Sequence, residues 1–300
     1  MATSSPPPRE HHPYRGFVAG VFSGIAKLSV GHPFDTIKVR LQTSQKDRFK
    51  GPLDCLLKTL RNEGVRGVYK GATPPLVGWM FMDSVMLGSL SQYRALLKTH
   101  VYHGRELPDY AHGIAGIGAG ATVSFIAAPV EHVKARLQVQ YHGRSPSSPS
   151  SPSKPRYSGP IDCTRQLLSC HGLRGLYHGL SATLFFRSFF FFWWSSYAVF
   201  SRELRTRTEL SESAVNFWAG GLSAQVFWLT CYPSDVVKQR IMTDDLVDRR
   251  YRNWGEAARA VYREAGWRGY WRGFVPCFLR AFPANAMALL AFEGVMRYLP

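Results

Sequence analysis

The sequence predicts an all-α membrane protein, a threefold pseudo-symmetric bundle of six membrane helices, and three observations support this. A short motif occurs three times, and the prolines that open it, Pro33, Pro129 and Pro233, lie 96 and 104 residues apart. Six segments have the length of a membrane span, which needs about 20 mostly apolar residues. Six consecutive aromatic residues occupy 189–194, a run that a soluble helical protein leaves unexplained.

In each copy of the motif an acid follows the proline by two positions, a lysine comes three later and an arginine two beyond. A proline inside a helix removes a hydrogen bond and bends it, so we expect three helix kinks directed at one axis. The acid and the lysine lie one turn apart on the same helix face. In a threefold arrangement each acid can therefore meet the next repeat's lysine: Asp35 with Lys134, Glu131 with Lys238, and Asp235 with Lys38.

The six candidate spans are interrupted by glycine or polar residues, which are expensive in lipid unless they face protein or a watery cavity. A bundle around a water-filled centre explains both their length and their interruptions. Small residues such as Gly113, Gly116 and Gly120 allow close helix packing, and glycines near residues 24 and 220 suggest the same. The spans are approximately 15–43, 73–98, 109–138, 181–204, 213–241 and 274–298.

A second motif follows each copy of the first, at residues 63–71, 171–179 and 265–273, and always ends in glycine. Two motifs in this fixed order, three times over, resemble the mitochondrial carrier family across residues 15–298. The resemblance implies that each repeat contains a membrane helix, a short matrix-side helix and a second membrane helix. It gives a polar tail at 1–14 and repeats at 15–107, 108–208 (with a Ser/Pro-rich matrix loop at 141–156) and 209–300.

By this resemblance the three ion pairs form a salt-bridge gate that closes the matrix side of the cavity during alternating access. Gln42 and Gln138 match the family position that braces the gate, whereas the third copy has Met242. On the cytoplasmic side only Phe292-Glu293 matches the family's pattern, so that gate looks weak. The glycines that end the second motif carry the family's cardiolipin-binding role, with plain helix capping as the alternative: Gly71, Gly179 and Gly273.

The segment from Arg280 to Ala286 looks like the carnitine/acylcarnitine and basic amino-acid branch of the family. Matching the branch places three substrate contacts at Gly78-Trp79, Arg187-Ser188 and Arg280. The branch has an acid after the helix-four arginine, where this chain has Ser188, and Asp83 is the candidate replacement. Two arginines suit a carboxylate, and Asp83 with Trp79 suits a cationic head. These residues predict a small zwitterion as substrate, although Asp83 could instead pair with Arg187 or Lys27.

Composition excludes several other functions. The net charge is +17 and the pI about 9.9, but the basic residues surround no nucleic-acid recognition motif, so anionic lipid is the better partner. Five single cysteines and ten histidines show no metal-ligand spacing. No nucleophile–base pair or phosphate-binding loop indicates an enzyme, and no cofactor is expected. The N-terminus is expected to carry no cleavable targeting peptide. The resemblance implies internal signals and a multi-pass protein in the mitochondrial inner membrane, and the closed threefold repeat makes a monomer sufficient.

Two alternatives stay open at this point. The chain could carry a dicarboxylate, a nucleotide or another anion, and the effect of replacing Asp83 would discriminate these from a zwitterion. It could also be a non-transporting scaffold that kept the fold, since Ser188 and the cytoplasmic pattern depart from the family. The sequence leaves open the counter-substrate, uniport or exchange, and proton coupling.

Overall fold

The computed structural model describes residues 13–44, 48–140, 144–145, 148–152 and 157–298. Most of the predicted tail at 1–14 and much of the loop at 141–156 therefore lie outside the described residues. Within them, helices dominate. They are α1 (Pro13–Thr43), α2 (Pro52–Val68), α3 (Thr73–Leu96), α4 (Asp109–Val139), α5 (Pro160–Leu176), α6 (Leu180–Ser188), α7 (Phe190–Arg207), α8 (Glu212–Thr243), α9 (Trp254–Ala265) and α10 (Phe274–Tyr298).

The helices repeat in the order long, short, long. The first long helix of each repeat is α1, α4 or α8, and the short helix is α2, α5 or α9. The second long helix is α3 or α10 in the outer repeats, and in the middle repeat it is divided at Phe189 into α6 and α7. The six long segments coincide with the six predicted spans to within a few residues at either end. The all-α, threefold architecture predicted from the sequence is confirmed.

The prolines of the motif lie inside the long helices rather than at their ends. Pro33, Pro129 and Pro233 are each followed by ten further residues of α1, α4 and α8. These ten-residue ends are buried along much of their length, although they carry the charged residues of the motif. A buried charge is stable only with a partner, so the charged residues of the three helix ends are expected to pair with one another.

The glycines of α4 bring it against α7. A Cβ atom added at Gly113 would meet Ser195 Oγ at 2.2 Å, and one at Gly116 would meet Trp194 Cδ1 at 2.4 Å. One at Gly120 would lie 2.9 Å from the carbonyl oxygen of Arg187. Gly24 and Gly220 differ, because a Cβ there would meet nothing within 4 Å. Close backbone packing is thus observed for the glycines of α4, whereas the expectation is wrong for Gly24 and Gly220.

The short helices change direction at the second motif. Gly64, Gly172 and Gly266 have φ values of +66°, +60° and +59°, a conformation that glycine adopts without the steric penalty of a Cβ atom. In the third repeat α9 begins behind Asn253, whose Oδ1 accepts a hydrogen bond from the Glu256 amide at 2.9 Å. The repeated glycine therefore sets the angle at which each short helix leads into the next long one.

Part of the Ser/Pro-rich segment forms a small antiparallel pair, β1 (Arg144–Ser145) and β2 (Ser148–Pro152), between α4 and α5. Among the described residues, α4 is the helix that is long and apolar enough by composition alone to cross a membrane. The other long helices contain the polar residues that the sequence analysis places around a central cavity.

Candidate functional site

The acid and the lysine of each proline motif meet on the axis of the bundle. We call these six residues the central ring: Asp35, Lys38, Glu131, Lys134, Asp235 and Lys238. Each of the three predicted ion pairs joins one repeat to another. The Nζ–carboxylate distances are 2.8 Å for Lys134–Asp35, 3.0 Å for Lys238–Glu131 and 2.7 Å for Lys38–Asp235. Lys38 and Asp235 are the most enclosed pair, with 8% and 2% of their side chains exposed. The ring thus ties the ends of α1, α4 and α8 together.

Two arginines from the second long helices add to this ring. Arg187 Nη2 lies 2.6 Å from Glu131 Oε1, and Arg280 Nη1 lies 3.0 Å from Asp35 Oδ1. The sequence predicted both arginines as substrate contacts, and the structure places them on two of the ring acids. Among these eight side chains, three carboxylates face five cationic groups. The site therefore has an excess of positive charge.

A cavity of about 150 Å³ is lined by the central ring and Arg280. Aromatic rings support two of its lysines: Lys38 Nζ lies 4.3 Å from the ring centre of Trp228, and Lys238 Nζ lies 3.9 Å from that of Phe186. Such cation–π contacts stabilise a partly desolvated ammonium group. The sequence analysis missed both aromatic residues, because neither belongs to the repeated motifs.

Comparison with known proteins decides the family. The family described as mitochondrial carrier protein matches three stretches of the chain, residues 9–101, 105–208 and 210–300. The chain belongs to the mitochondrial carrier family. It is therefore a mitochondrial solute carrier, and its family consists of transporters of small molecules rather than of enzymes.

Several relatives resemble this carrier over almost its whole length. The mitochondrial substrate carrier family protein L of Dictyostelium discoideum is 39% identical over 95% of this chain and 96% of its own. A mitochondrial carnitine/acylcarnitine carrier-like protein of Arabidopsis thaliana is 36% identical over 93% and 96%. The mitochondrial basic amino acids transporter of Bos taurus is 36% identical over 94% and 91%.

The two predicted braces of the carrier's ring and the equivalent Met242 occupy fully buried positions with different contacts. Gln42 Nε2 donates to Asp235 Oδ2 at 3.0 Å and to Tyr232 Oη at 3.1 Å, so it supports a ring acid directly. Gln138 Nε2 donates instead to Thr36 Oγ1 at 3.2 Å. The third position holds Met242, which has no amide to donate. The three joints of the ring are therefore supported unequally.

The other predicted substrate contacts lie on α3 and α6. A Cβ atom added at Gly78 would lie 3.2 Å from Val130, the neighbour of Glu131, so this glycine packs against α4. Asp83 is exposed, interacts electrostatically with Lys27 and Arg187, and makes no ion pair within the described residues. Ser188 Oγ donates to the Phe185 carbonyl at 2.7 Å. The backbone of Trp79 lies in α3, but its side chain, like those of Phe292 and Glu293, is outside the described residues.

The motif arginines form a second set of contacts, which the sequence analysis noted as a pattern without a role. Arg40 pairs with Glu63 at 2.7 Å and its Nε donates to the Gln138 carbonyl at 3.1 Å. Arg240 pairs with Glu264 at 2.6 Å and its Nε donates to the Gln42 carbonyl at 3.2 Å. Arg40 and Arg240 thus each link the short helix of their own repeat to the end of the first long helix of the next repeat.

Glu63 is held as a carboxylate by these contacts. Burial alone would raise its pKa, but hydrogen bonds from Arg40 and Lys70 outweigh that effect, so the pKa of the Glu63 carboxyl lies below its ordinary value. The thiol of Cys55 on the same short helix behaves in the opposite way, since burial raises its pKa to about 11. Within the described residues no cluster of His, Cys, Asp and Glu is arranged to hold a metal ion.

The glycines that end the second motif precede α3, α6 and α10 with φ values of +73°, +90° and +80°. Each approaches a long helix of another repeat. A Cβ atom on Gly71 or Gly273 would lie 3.0 Å from the carbonyl oxygen of Lys134 or Lys38, and one on Gly179 would lie 2.9 Å from Met242 Cγ. These positions thus have a structural requirement for glycine, which is separate from the predicted lipid contact.

Replacing Gly273 with alanine is expected to destabilise the carrier by about 1–2 kcal/mol, because the residue would retain a positive φ and press against the Lys38 carbonyl. Thermal unfolding of the purified protein measures this as a fall of a few degrees in the midpoint. Gly220→Ala in α8 is the matched control, since its Cβ meets nothing within 4 Å. Equal midpoints for the two variants would contradict the expectation.

Proposed function

We propose that this carrier moves a small carboxylate-bearing zwitterion, carnitine, an acylcarnitine or an amino acid, across the mitochondrial inner membrane. The observation that carries the proposal is the excess of cations at the site. Arg187 and Arg280 add two positive charges to a ring that already balances its own three lysines. Guanidinium groups present paired donors that match a carboxylate. A carboxylate in the cavity would offset one of these two excess charges.

The same two arginines connect substrate binding to the gate. A substrate carboxylate that binds Arg280 competes with Asp35, and one that binds Arg187 competes with Glu131. Loss of these contacts weakens the support of the Lys134–Asp35 and Lys238–Glu131 pairs, which join repeat 1 to repeat 2 and repeat 2 to repeat 3. Binding energy therefore favours opening of the ring. By the family resemblance the ring end faces the matrix, so its opening is one half of alternating access.

Asp83 supplies the negative charge for the cationic head of the substrate. It is exposed and makes no ion pair among the described residues, so its carboxylate is available to an ammonium group. Lys27 acts against this role, because a full Lys27–Asp83 interaction would leave the cavity positive and favour a dicarboxylate or another anion. The relatives favour the zwitterion: their names specify carnitine, acylcarnitine and basic amino acids, all of which carry a carboxylate and a cationic group.

Uptake into liposomes tests the proposal directly. The purified carrier is reconstituted, and uptake of labelled carnitine, lysine, arginine and glycine is compared with that of malate and ADP, each with and without internal substrate. Saturable uptake of a zwitterion supports the proposal, and dependence on internal substrate would identify exchange. Uptake of malate or ADP alone would assign the alternative anion carrier. No uptake of any solute by protein with a normal melting transition would favour the scaffold.

Asp83→Asn is expected to reduce uptake of a cationic zwitterion by at least tenfold while leaving the melting temperature unchanged. The variant removes the charge that holds the substrate head, and no ion pair of the described protein is lost. Asp248→Asn is the matched control, because Asp248 is an exposed acid on the segment after α8. If both variants retain uptake, Asp83 is not a substrate contact.

We also infer that cardiolipin binds at the starts of α3, α6 and α10, beside Gly71, Gly179 and Gly273, and that the carrier is a multi-pass monomer. Helix N-termini attract phosphate through their backbone amides, and these three lie at equivalent positions of the threefold arrangement. The ring closes within one chain, so a single copy contains the whole site. Native mass spectrometry from mild detergent would test both points. A dimeric mass would contradict the monomer, and the absence of bound cardiolipin would contradict the lipid site.

A further inference from the structure

A second cavity, of about 290 Å³, lies beside the central ring at the ends of α1 and α8. Thr43 and Ser44 line it where α1 ends, and Thr243 to Asp245 line it where α8 ends. Three arginines and three acids share its wall. They are Arg136, Arg240 and Arg250, and Asp244, Asp245 and Glu264. None of them belongs to the central ring.

Arg136 is the unusual member of this group. Its equivalents Arg40 and Arg240 have the carboxylates Glu63 and Glu264 as partners. Arg136 is equally buried, with 6% of the residue exposed, yet its Nε donates to His132 Nε2 at 2.7 Å and its Nη2 to the Asp244 carbonyl at 2.7 Å. Both acceptors are uncharged groups. A buried cation without a counter-ion is strongly unfavourable.

Arg250 provides a second cation on the same wall. It is exposed and, like Arg136, makes no ion pair within the described part of the chain. The acids of the cavity are already in use: Glu264 pairs with Arg240, and Asp244 Oδ2 accepts the amides of Arg250 and Tyr251 at 2.9 and 3.1 Å. Asp245 Oδ1 accepts the amide of Val247 at 2.9 Å. Within the described residues, therefore, neither Arg136 nor Arg250 is ion-paired, and Asp244 and Asp245 are oriented by backbone amides rather than by these guanidinium groups.

We propose that this cavity binds a phosphate-type oxyanion between Arg136 and Arg250. Guanidinium groups bind phosphate with paired, charge-assisted hydrogen bonds, and the hydroxyls of Thr43, Ser44 and Thr243 add polar groups nearby. The cavity volume lies just below the range of about 300–1,000 Å³ that is typical of small-molecule sites. It suits inorganic phosphate, pyrophosphate or a phosphate headgroup rather than a whole nucleotide.

Occupation of the site would hold the ring closed. Arg136 links repeat 2 to repeat 3 through the Asp244 carbonyl, and Arg240 links repeat 3 to repeat 1 through the Gln42 carbonyl. An anion in this cavity would contact groups from all three repeats. It would therefore stabilise the closed state, in which the ends of α1, α4 and α8 are together. Binding itself does not depend on the proposed transport function, whereas the expected slowing of transport rests on it.

Calorimetric titration of the full-length carrier in detergent with pyrophosphate tests the binding. We expect Arg250→Gln to weaken binding at least tenfold, and Arg249→Gln, a neighbouring exposed arginine that does not line the cavity, to bind as the unaltered protein does. Arg136→Gln should also lose binding, provided that its melting transition shows a folded protein. No binding by the unaltered protein, or equal binding by the Arg250 and Arg249 variants, would overturn the proposal.

Competition identifies the source of the anion. Displacement of pyrophosphate by inorganic phosphate, with no effect of short-chain phosphatidic acid, assigns a soluble anion; displacement by phosphatidic acid assigns a lipid headgroup. In liposomes, phosphate on the ring side should slow exchange by the unaltered carrier and not by Arg250→Gln. Binding without slowing would overturn the regulatory effect alone, and absence of all transport would count against the proposed function but not against the site.

Discussion

Arg280→Ala is expected to reduce substrate uptake on the order of 100-fold. The guanidinium contacts Asp35 at 3.0 Å and lies where the substrate carboxylate is proposed to bind, so the variant loses both a ring contact and a substrate contact. Truncating one partner of a buried charge pair typically costs about 2–5 kcal/mol. The initial rate of labelled zwitterion uptake into liposomes measures the effect. Arg280→Lys keeps the charge but not the paired donors, and should recover part of the uptake.

The control is Arg268→Ala, which removes an exposed arginine of the third repeat outside the cavity. Its uptake should match that of the unaltered carrier. The amount of each variant incorporated into the liposomes should be the same, because a difference in the amount of protein would change the uptake rate without a change in activity. Normal uptake by folded Arg280→Ala would refute the cavity assignment and, with it, the competition between substrate and Asp35.

Glu131→Gln is expected to produce a large loss of stability. Glu131 accepts Lys238 at 3.0 Å and Arg187 at 2.6 Å, so its neutralisation leaves Arg187 without a carboxylate and Lys238 with only its longer contact to Asp235 at 3.5 Å. Breaking a buried pair in this way costs about 3–5 kcal/mol. In a protein of this size that corresponds to a fall of about 10 °C in the apparent melting temperature, measured by the fluorescence of a thiol-reactive dye in detergent.

Glu212→Gln is the matched comparison, because it makes the same chemical change at an acid whose side chain is 70% exposed. Glu212 pairs with Arg205 at 2.8 Å, but an exposed pair contributes only about 0–1 kcal/mol. Its melting temperature should change by no more than 1 or 2 °C. Similar shifts for the two variants would show that the Glu131 contacts contribute little in the ring-closed protein.

The sequence was sufficient for the architecture because the repeats impose it three times. The prolines, acids and lysines recur at fixed spacing, and the second motif fixes a glycine where φ must be positive, as at Gly64. One copy would have been ambiguous, whereas three copies exclude most other arrangements. The single-copy features were less predictable: the break at Phe189 and the packing of Lys238 on Phe186 depend on tertiary contacts that leave no periodic pattern.

The repeated part of the site could also be predicted from the sequence. The acids and lysines that recur in all three motifs could be assigned partners across repeats from their spacing alone. The partner of Arg240 could not be predicted in this way. The position of the third repeat that aligns with Glu63 is Ala265, and the acid that pairs with Arg240 is Glu264, one position earlier. The absence of a carboxylate for Arg136 was likewise hidden, because His171 in the equivalent motif position gives no indication of where the arginine points.

The glycine packing of α4 has a mechanical consequence. Glu131 lies on α4, and Arg187 lies on α6, whose end touches Gly120 so closely that a Cβ there would be 2.9 Å from the Arg187 carbonyl. Dense packing resists shear, because sliding would force atoms into contact. In the proposed mechanism, the residue that binds the substrate and the ring acid that it contacts therefore lie on two tightly packed helices. We therefore expect a displacement of Arg187 to reach Glu131 directly, through this packing and their 2.6 Å contact, without a separate relay.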